Sequence, residues 1–291
     1  MFTVTLMTNS AIYLDPGLVT NLRNAMGGGD TVWLDPSHAA EFDVEKIPKS
    51  INSIWENLST EGVDLVVQPA GDRRRKMLLA DMDSTMIQQE CIDQLAAEAG
   101  VGKRVTDITA RAMNGELDFE EALLQRVRLL KGLSETAITT VLDTRITLMP
   151  GGATLLATMK AQGAYCALVS GGFTSFTAAI AERLGFDEHH ANTLLAENGA
   201  LTGDVSRPIL GRDAKVDALH RITTAQGITP SDVLAVGDGA NDLGMLQLAG
   251  TGVALHAKPM VQEQAKIRVN HGDLTALLFI QGYAKTDFVT P

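Results

Sequence analysis

The sequence contains only two cysteines, Cys91 and Cys166, and they lie far apart in a chain of 291 residues. Two thiols are too few for the disulfide framework of a secreted scaffold, so we expect a reducing, cytoplasmic setting in which both are buried. The chain also lacks a run of about 18 apolar residues, which a membrane-spanning helix would require. Residues 1–10 do not have the basic and then apolar order of a secretory signal. We therefore expect no membrane association.

Positive charge is scarce as well: 24 lysines and arginines face 35 aspartates and glutamates, for a net charge of −11. Nucleic-acid binding usually requires a basic face, so we expect no nucleic-acid partner. The basic cluster at residues 73–76 is better explained as a solvated linker. The sequence also contains no G-x-x-x-x-G-K-[ST] loop, which disfavours a nucleotide-dependent kinase. An anionic ligand would have to be held by a few well-placed positive groups.

Residues 1–72 are predicted to form a small α+β domain, because helical patterns are interleaved with short alternating strand patterns. In chain order we predict strand 2–8, helix 18–26, strand 31–34, helix 51–58 and strand 63–67. This order is similar to that of small amino-acid-sensing regulatory domains. A packing role, or formation of a homodimer through this domain, fits the pattern equally well, so its function stays open.

Residues 73–291 alternate short apolar strands with helices, which is typical of a doubly wound, mostly parallel α/β sheet. The predicted strands include residues 77–80, 166–169 and 233–236. In such sheets ligands bind beyond the carboxyl ends of the strands, so we expect the turns that follow these strands to converge. Residues from about 88–148 contain helical patterns alone and are predicted to form an inserted cap over that site. Glu197-Asn198-Gly199, between apolar runs, indicates a β-hairpin.

Two carboxylates follow the first of these strands, in the segment Asp81-Met82-Asp83-Ser84-Thr85. One carboxylate at such a position can attack phosphorus while the other carries a proton. The alternative is a helix N-cap, since Asp, Ser and Thr all cap well. Capping alone does not account for four acceptor side chains within five residues, so we favour the catalytic interpretation.

A second acidic turn, Gly237-Asp238-Gly239-Ala240-Asn241-Asp242, follows strand 233–236. Mg²⁺ prefers oxygen ligands, and Asp238 with Asp81 could supply two carboxylate oxygens and the backbone carbonyl of Asp83 a third. Asp-Gly is also a common turn dipeptide. The turn predicts a magnesium site because it is expected at the same sheet edge as Asp81.

Phosphate oxygens could be bound where strand 166–169 runs through Ser170-Gly171-Gly172 into a helix, because hydroxyls, amides and helix N-termini suit anions. Glycine-rich turns are also common for plain backbone reasons. Two ionised aspartates and a phosphate dianion bring about −4 against +2 from Mg²⁺, with Asp83 protonated. Lys215 is the best candidate for the additional cation that this balance requires.

These four segments together resemble the haloacid dehalogenase superfamily, and the match is closest to its phosphoserine phosphatases. The resemblance extends over residues 76–291 and implies magnesium-dependent hydrolysis of O-phosphoserine, the final step of serine biosynthesis. It implies that Asp81 becomes phosphorylated, and that Asp83 protonates the leaving seryl oxygen and then activates water. The magnesium ligands would be Asp81, the carbonyl of Asp83 and Asp238, with Asp242 supporting the metal site. Phosphate would be contacted by Ser170, Gly171, Lys215 and Asn241.

The cap sequence bears on the substrate. Arg126 lies on a helical stripe with Phe119 and Leu123. It could snorkel or form a structural ion pair, but an arginine on an apolar face can also recognise a carboxylate through two hydrogen bonds. Segments 113–119 and 125–127 resemble the phosphoserine phosphatase cap. That resemblance implies that Glu90 binds the amino group of the substrate and Arg126 its carboxylate, while Met113 and Phe119 line the pocket.

Two other functions are compatible with parts of this pattern. A phosphatase or phosphotransferase of the same superfamily could act on another small phosphate ester. A phosphate-accepting signalling receiver also uses an acceptor aspartate and a lysine, but it would have neither a helical cap nor the second aspartate at position 83. The sequence therefore disfavours the receiver.

Overall fold

A computed structural model describes residues 1–113 and 116–291. Within these ranges no helix is long and apolar enough to span a membrane. The chain forms two compact units. We name the unit of Met1–Leu78, Pro150–Tyr165 and Ser231–Pro291 the terminal unit, and the unit of Leu79–Met149 and Cys166–Pro230 the central unit.

The secondary structure alternates strands and helices along the chain. The strands are β1 Phe2–Thr8, β2 Val32–Asp35, β3 Ala39–Val44, β4 Val63–Pro69, β5 Met77–Ala80, β6 Tyr165–Phe173, β7 Glu188–Asn192, β8 Leu194–Glu197, β9 Ala200–Val205, β10 Val233–Gly237, β11 Thr251–Leu255 and β12 Ile267–Val269. The helices are α1 Pro16–Ala25, α2 Ile51–Thr60, α3 Cys91–Glu98, α4 Gly102–Met113, α5 Phe119–Arg128, α6 Thr136–Thr144, α7 Gly152–Ala161, α8 Thr174–Leu184, α9 Arg212–Gln226, α10 Leu243–Leu248, α11 Pro259–Gln264 and α12 Ala276–Ile280.

The N-terminal residues form a four-stranded sheet of order β2-β3-β1-β4, in which β1 pairs antiparallel with β3 and β4. Alternate residues of β1, such as Val4 and Leu6, lie in a hydrophobic core with residues of α1 and α2. Helix α1 begins where Asp15 accepts a hydrogen bond from the Gly17 amide and proline occupies the first turn. The sequence predicted three strands here and missed β3.

A second sheet has six strands in the order β12-β11-β10-β5-β6-β7. The pairs β10–β11, β11–β12 and β6–β7 are parallel. Every residue of β5 and β10 is buried, as expected for a parallel sheet that is covered on both faces. The predicted fold class is confirmed: an α/β structure with a mostly parallel sheet, helices inserted between β5 and β6, and a small N-terminal α+β region.

The inserted helices α3 to α6 all belong to the central unit. Helix α3 packs against α4 and α6, α4 packs against α5, and α5 also packs against the hairpin β8–β9. The hairpin forms where the sequence predicted it, because Asn198 and Gly199 take the positive φ angles of 53° and 78° that a tight turn requires. Two backbone hydrogen bonds of 2.8 Å join Leu201 to Gly132 and Leu133 in the loop between α5 and α6.

Candidate active site

Asp81 directly follows β5, and its carboxylate is held on one oxygen by two donors. The Met82 amide donates to Asp81 Oδ1 over 2.8 Å, and Lys215 Nζ lies 2.8 Å from the same oxygen. The side chains of Asp81 and Lys215 are only 8% and 2% exposed. Lys215 reaches Asp81 from the first turns of α9. A buried carboxylate with a buried ammonium and an amide on one oxygen is held in a fixed orientation.

Asp83 lies in the same turn and has a different environment. The Cys91 amide donates to Asp83 Oδ1 over 2.8 Å, and the Ser170 hydroxyl donates to Oδ2 over 3.3 Å. Desolvation, and secondly the charge of Glu90, raise the pKa of Asp83 to about 6. Asp83 can therefore exchange a proton near neutral pH, as a general acid or base must, whereas Asp81 is paired with a lysine.

The turn that carries both aspartates is tight. The amides of Met86 and Ile87 both donate to the carbonyl of Met82, which is itself fully buried. Ser84 has a φ of 55°, in the left-handed region, and its hydroxyl donates to a Glu90 oxygen over 2.7 Å. This conformation brings Glu90, at the start of the helical insertion, next to the aspartates.

The segment Ser170-Gly171-Gly172 lies beside Asp83. The Gly172 amide donates to Ser170 Oγ over 2.9 Å, and the Ser170 side chain is buried. A Cβ atom on Gly172 would lie 2.6 Å from Asp83 Oδ2. The close approach of the Asp83 carboxylate therefore requires glycine at position 172. From the sequence alone, Gly172 could be explained only as a turn residue.

The terminal unit carries the second acidic turn, after β10. The Gly239 amide donates to Asp242 Oδ2 over 2.9 Å, and a Cβ on Gly237 would lie 2.3 Å from the Asp242 side chain. Asp242 is fully buried. Asn241 is partly buried in the short 3₁₀ turn that spans residues 240–242. The glycines on both sides of Asp238 allow this compact loop.

Lys258 was not predicted from the sequence. Its Nζ lies 3.9 Å from Asp238 Oδ2, and its amide donates to the Asp238 carbonyl over 3.3 Å. The residue follows the carboxyl end of β11, a strand adjacent to β10. Lys258 lies three residues beyond the end of β11, in a chain with few cations. This position is the signal that could have identified it.

The terminal unit offers two buried carboxylates that could hold a metal ion, those of Asp238 and Asp242. The donors are all oxygens, which suits a hard divalent cation such as Mg²⁺ better than a softer metal. The family resemblance implies a supporting role for Asp242 and names the backbone carbonyl of Asp83 as a ligand.

Arg126 lies on α5 with its side chain mostly buried. Its Nε donates to the Ala122 carbonyl over 3.1 Å and its Nη1 to Thr109 Oγ1 over 3.4 Å. Burial lowers the pKa of Arg126, while the negative charges of Glu90, Asp93 and Asp83 raise it. Thr109, on the neighbouring helix α4, was not predicted from the sequence. The hydrogen bonds of Arg126 are thus to α5 and α4, and the acidic groups act on it through their charge.

Two further residues were predicted for the pocket. Phe119 is the first residue of α5, where Asp118 accepts a hydrogen bond from the Glu121 amide. The Phe119 ring lies close to Gly211: a Cβ atom added to that glycine would be 3.8 Å from Phe119 Cδ1. Phe119 is half-buried. Met113 ends α4, but its side chain lies outside the described part of the structure.

Comparison with known proteins gives consistent matches. The model of the haloacid dehalogenase-like hydrolase family matches residues 78–247. A phosphoserine phosphatase of Streptomyces coelicolor is 43% identical over 258 residues, which are 87% of this chain and 62% of that protein. The chain thus spans less than two thirds of that relative. A phosphoserine phosphatase of Methanocaldococcus jannaschii is 41% identical over 207 residues, 71% of this chain and 98% of that protein.

Among solved structures, a family hydrolase of Salmonella enterica serovar Typhi has a TM-score of 0.86 at 30% sequence identity. The similarity covers 96% of this chain and 97% of the Salmonella chain, so it extends to the N-terminal antiparallel sheet.

Proposed function

Because the chain belongs to the haloacid dehalogenase-like hydrolase family, we propose that it hydrolyses a phosphate monoester and that its substrate is O-phosphoserine. The observation that carries the proposal is the pair of carboxyl groups after β5. Asp81 is buried against Lys215, and Asp83, two residues later, has a pKa raised to about 6. The relatives named phosphoserine phosphatase support the choice of substrate.

In the first half of the proposed reaction, Asp81 attacks phosphorus. A bond forms between a carboxylate oxygen and phosphorus, the bond from phosphorus to the seryl oxygen breaks, and serine leaves. Asp83 donates its proton to the seryl oxygen as that bond breaks, because an alkoxide is a poor leaving group. Lys215 offsets the repulsion between the carboxylate and the phosphate dianion.

In the second half, water hydrolyses the aspartyl-phosphate. Asp83, now a carboxylate, takes a proton from the water as its oxygen bonds to phosphorus, and the bond to Asp81 breaks. Inorganic phosphate leaves, Asp81 is regenerated and Asp83 is again protonated. The raised pKa of Asp83 suits both roles, because one group must be acid and then base within a single turnover.

As the resemblance implies, a divalent cation would be held by the carboxylates of Asp81 and Asp238 and by the carbonyl of Asp83, and Asp242 would support the metal site. When bound, it supplies charge that neutralises the phosphate and withdraws electrons from phosphorus. We propose that Ser170, Gly171, Lys215 and Asn241 contact the phosphate oxygens. Their hydroxyl, amide and ammonium groups are the donors that a phosphate dianion accepts.

The amino-acid part of the substrate would be bound by Arg126 and Glu90. The charges of Glu90 and Asp83 act on Arg126, and Glu90 already accepts a hydrogen bond from Ser84. A carboxylate next to Arg126 and an ammonium next to Glu90 would each meet the opposite charge. Phe119 and Met113 would line this pocket. Hydrolysis of such a substrate would place the enzyme at the last step of serine biosynthesis.

The proposal is tested by measuring phosphate release from a small panel of esters with and without magnesium. We expect phosphoserine to be the preferred substrate over phosphothreonine, a sugar phosphate and para-nitrophenyl phosphate, and EDTA to stop the reaction until Mg²⁺ is restored. Faster release from another ester would replace the proposed substrate. Full activity in EDTA would contradict the role of the metal.

Replacing Arg126 by Ala should alter substrate preference. Two charge-assisted hydrogen bonds to the substrate carboxylate, at roughly 1.5 kcal/mol each, correspond to a loss of about 100-fold in kcat/KM for phosphoserine. Hydrolysis of para-nitrophenyl phosphate, which has no such carboxylate, should change little. Steady-state kinetics on both esters measures the difference.

Arg128→Ala is the matched control, because Arg128 lies on the same helix and is exposed. It should leave both rates unchanged. If Arg126→Ala slowed the two esters equally, Arg126 would have no role in carboxylate recognition.

A further inference from the structure

Asn192 ends β7 with its side chain buried, and this side chain forms hydrogen bonds to backbone groups of two other segments. Its Nδ2 donates to the carbonyls of Gly171, over 3.0 Å, and Leu210, over 3.3 Å. Its Oδ1 accepts from the Leu210 amide over 2.8 Å. The residue is 2% exposed. One side-chain amide thus joins two segments that are about forty residues apart in the chain.

The first segment contains the proposed phosphate-binding residues. The pairing of β6 with β7 shifts register between Val169 and Phe173, so Ser170, Gly171 and Gly172 bulge from the ladder. The Gly171 carbonyl bonds instead to the Asn192 side chain. A bulge held by a side chain can adopt a fixed conformation that the strand ladder alone would not impose.

One peptide unit transmits this constraint to the catalytic turn. The carbonyl of Gly171 and the amide of Gly172 belong to the same planar group. Asn192 holds the carbonyl, and the amide donates to Ser170 Oγ over 2.9 Å. The Ser170 hydroxyl in turn donates to Asp83 Oδ2 over 3.3 Å. The orientation of the peptide therefore fixes the hydroxyl that contacts Asp83.

The second segment leads to Lys215. Asn192 binds both backbone groups of Leu210, as a neighbouring strand would. Leu210 is followed by Gly211, the N-cap of α9, and Lys215 lies in the first turns of that helix. Lys215 Nζ is 2.8 Å from Asp81. The start of the lysine-bearing helix is therefore tied to the same amide as the Ser170 turn.

We propose that Asn192 is a positioning residue that holds the Ser170 turn and the start of α9 in the arrangement needed to bind phosphate. The proposal rests on the proposed function. It explains why the side chain is an amide: the site requires a donor for two carbonyls and an acceptor for one N–H. Aspartate would present only acceptors, and an apolar residue would present neither. Either change leaves buried backbone groups without these hydrogen bonds.

The test replaces Asn192 by Asp, which keeps its size, and by Ala, which removes the amide without adding charge. Isothermal titration with inorganic phosphate in the presence of Mg²⁺ is expected to show affinity weakened about 10- to 100-fold in both variants, because misplacement by about 1 Å can cost that much. In kinetics on phosphoserine, kcat should fall more than KM rises, since the proton-transferring Asp83 is also displaced.

Thr177→Val is the control for the loss of a buried side-chain hydrogen bond. Thr177 lies on α8, is fully buried and bonds to His189 over 3.0 Å. The Thr177→Val variant should lower the midpoint of thermal unfolding about as much as the Asn192 variants do, and it should leave phosphate affinity and kcat unchanged. If Thr177→Val and the Asn192 variants lost kcat and affinity equally, the role of Asn192 would be merely structural.

A double-mutant cycle with Ser170→Ala tests whether Asn192 acts through Ser170. If it does, Asn192→Asp combined with Ser170→Ala should lose less phosphate affinity than the product of the two single losses. A loss equal to that product would overturn the proposal. Because inorganic phosphate is the probe, the cycle can be measured whichever ester is the substrate. Failure of the wild-type protein to hydrolyse phosphoserine would therefore contradict the proposed substrate and leave this result standing.

Discussion

Replacing Asp81 by Asn is expected to abolish phosphate release, with kcat lower by about 10⁴-fold or more, because an amide cannot form the phosphorylated intermediate. The fold should be retained. The amide oxygen of the new side chain can still accept from the Met82 amide and from Lys215, the two donors that hold Asp81 Oδ1. Phosphate release and thermal melting, both with Mg²⁺ present, measure the two effects separately. Normal turnover in Asp81→Asn would refute the proposed mechanism.

Asp64→Asn is the matched control for this change. Asp64 is also buried, and its carboxylate accepts three backbone hydrogen bonds, from Asn270, His271 and Gly272, at 2.8, 3.0 and 2.7 Å. It lies outside the proposed site. The variant should lose stability, because an amide accepts fewer and weaker bonds than a carboxylate, but it should keep its kcat. Asp64→Asn thus shows whether a loss of stability alone can lower turnover, whatever stability Asp81→Asn also loses.

The parallel strands near the site could be predicted because they are buried on both faces. Strands β5 and β10 are uninterrupted apolar segments, and each ends in an acidic turn, so Asp81 and Asp238 mark their carboxyl ends. Lys215 could be predicted from the charge balance of the site, and it lies beside Asp81. These features depend on local sequence and on charge.

Strand β3 was missed because its stability depends on distant partners. Ala39–Val44 contains two alanines and two acidic residues, which favour strands weakly. It pairs with β1 on one side and β2 on the other. Three of its four buried residues, Ala40, Phe42 and Val44, belong to the hydrophobic core beneath the sheet. The alternation of apolar and polar residues within these six residues was too weak to predict the strand.

Strand β6 is longer than predicted for a related reason. The apolar segment ends at Val169, where the sequence indicates a turn, yet the strand extends to Phe173. The bulge at Ser170-Gly171-Gly172 is accommodated because Asn192 binds the Gly171 carbonyl. A side chain about twenty residues away supplies that bond, so no local pattern could predict it.

Replacing Lys215 by Met should damage both stability and catalysis. Methionine keeps the length of the side chain but leaves Asp81 as a buried charge without its ammonium partner, a change that typically costs about 3–5 kcal/mol of the free energy of unfolding. Turnover of phosphoserine should fall by at least about 100-fold. The phosphate would lose the ammonium group that stabilises the negative charge of its oxygens in the transition state. Denaturant melts and steady-state kinetics measure the two losses.

Two comparisons make this prediction specific. Lys76→Met removes an exposed lysine, 66% accessible, that pairs with Asp232 at 3.0 Å, and it should cost less than about 1 kcal/mol and leave kcat unchanged. The double variant Asp81→Asn with Lys215→Met should be more stable than Lys215→Met alone, because it also removes the buried carboxylate that has lost the Lys215 ammonium. If the double variant were the less stable of the two, the ion pair would not be what stabilises Lys215 in the interior, and the charge balance proposed for the site would have to be abandoned.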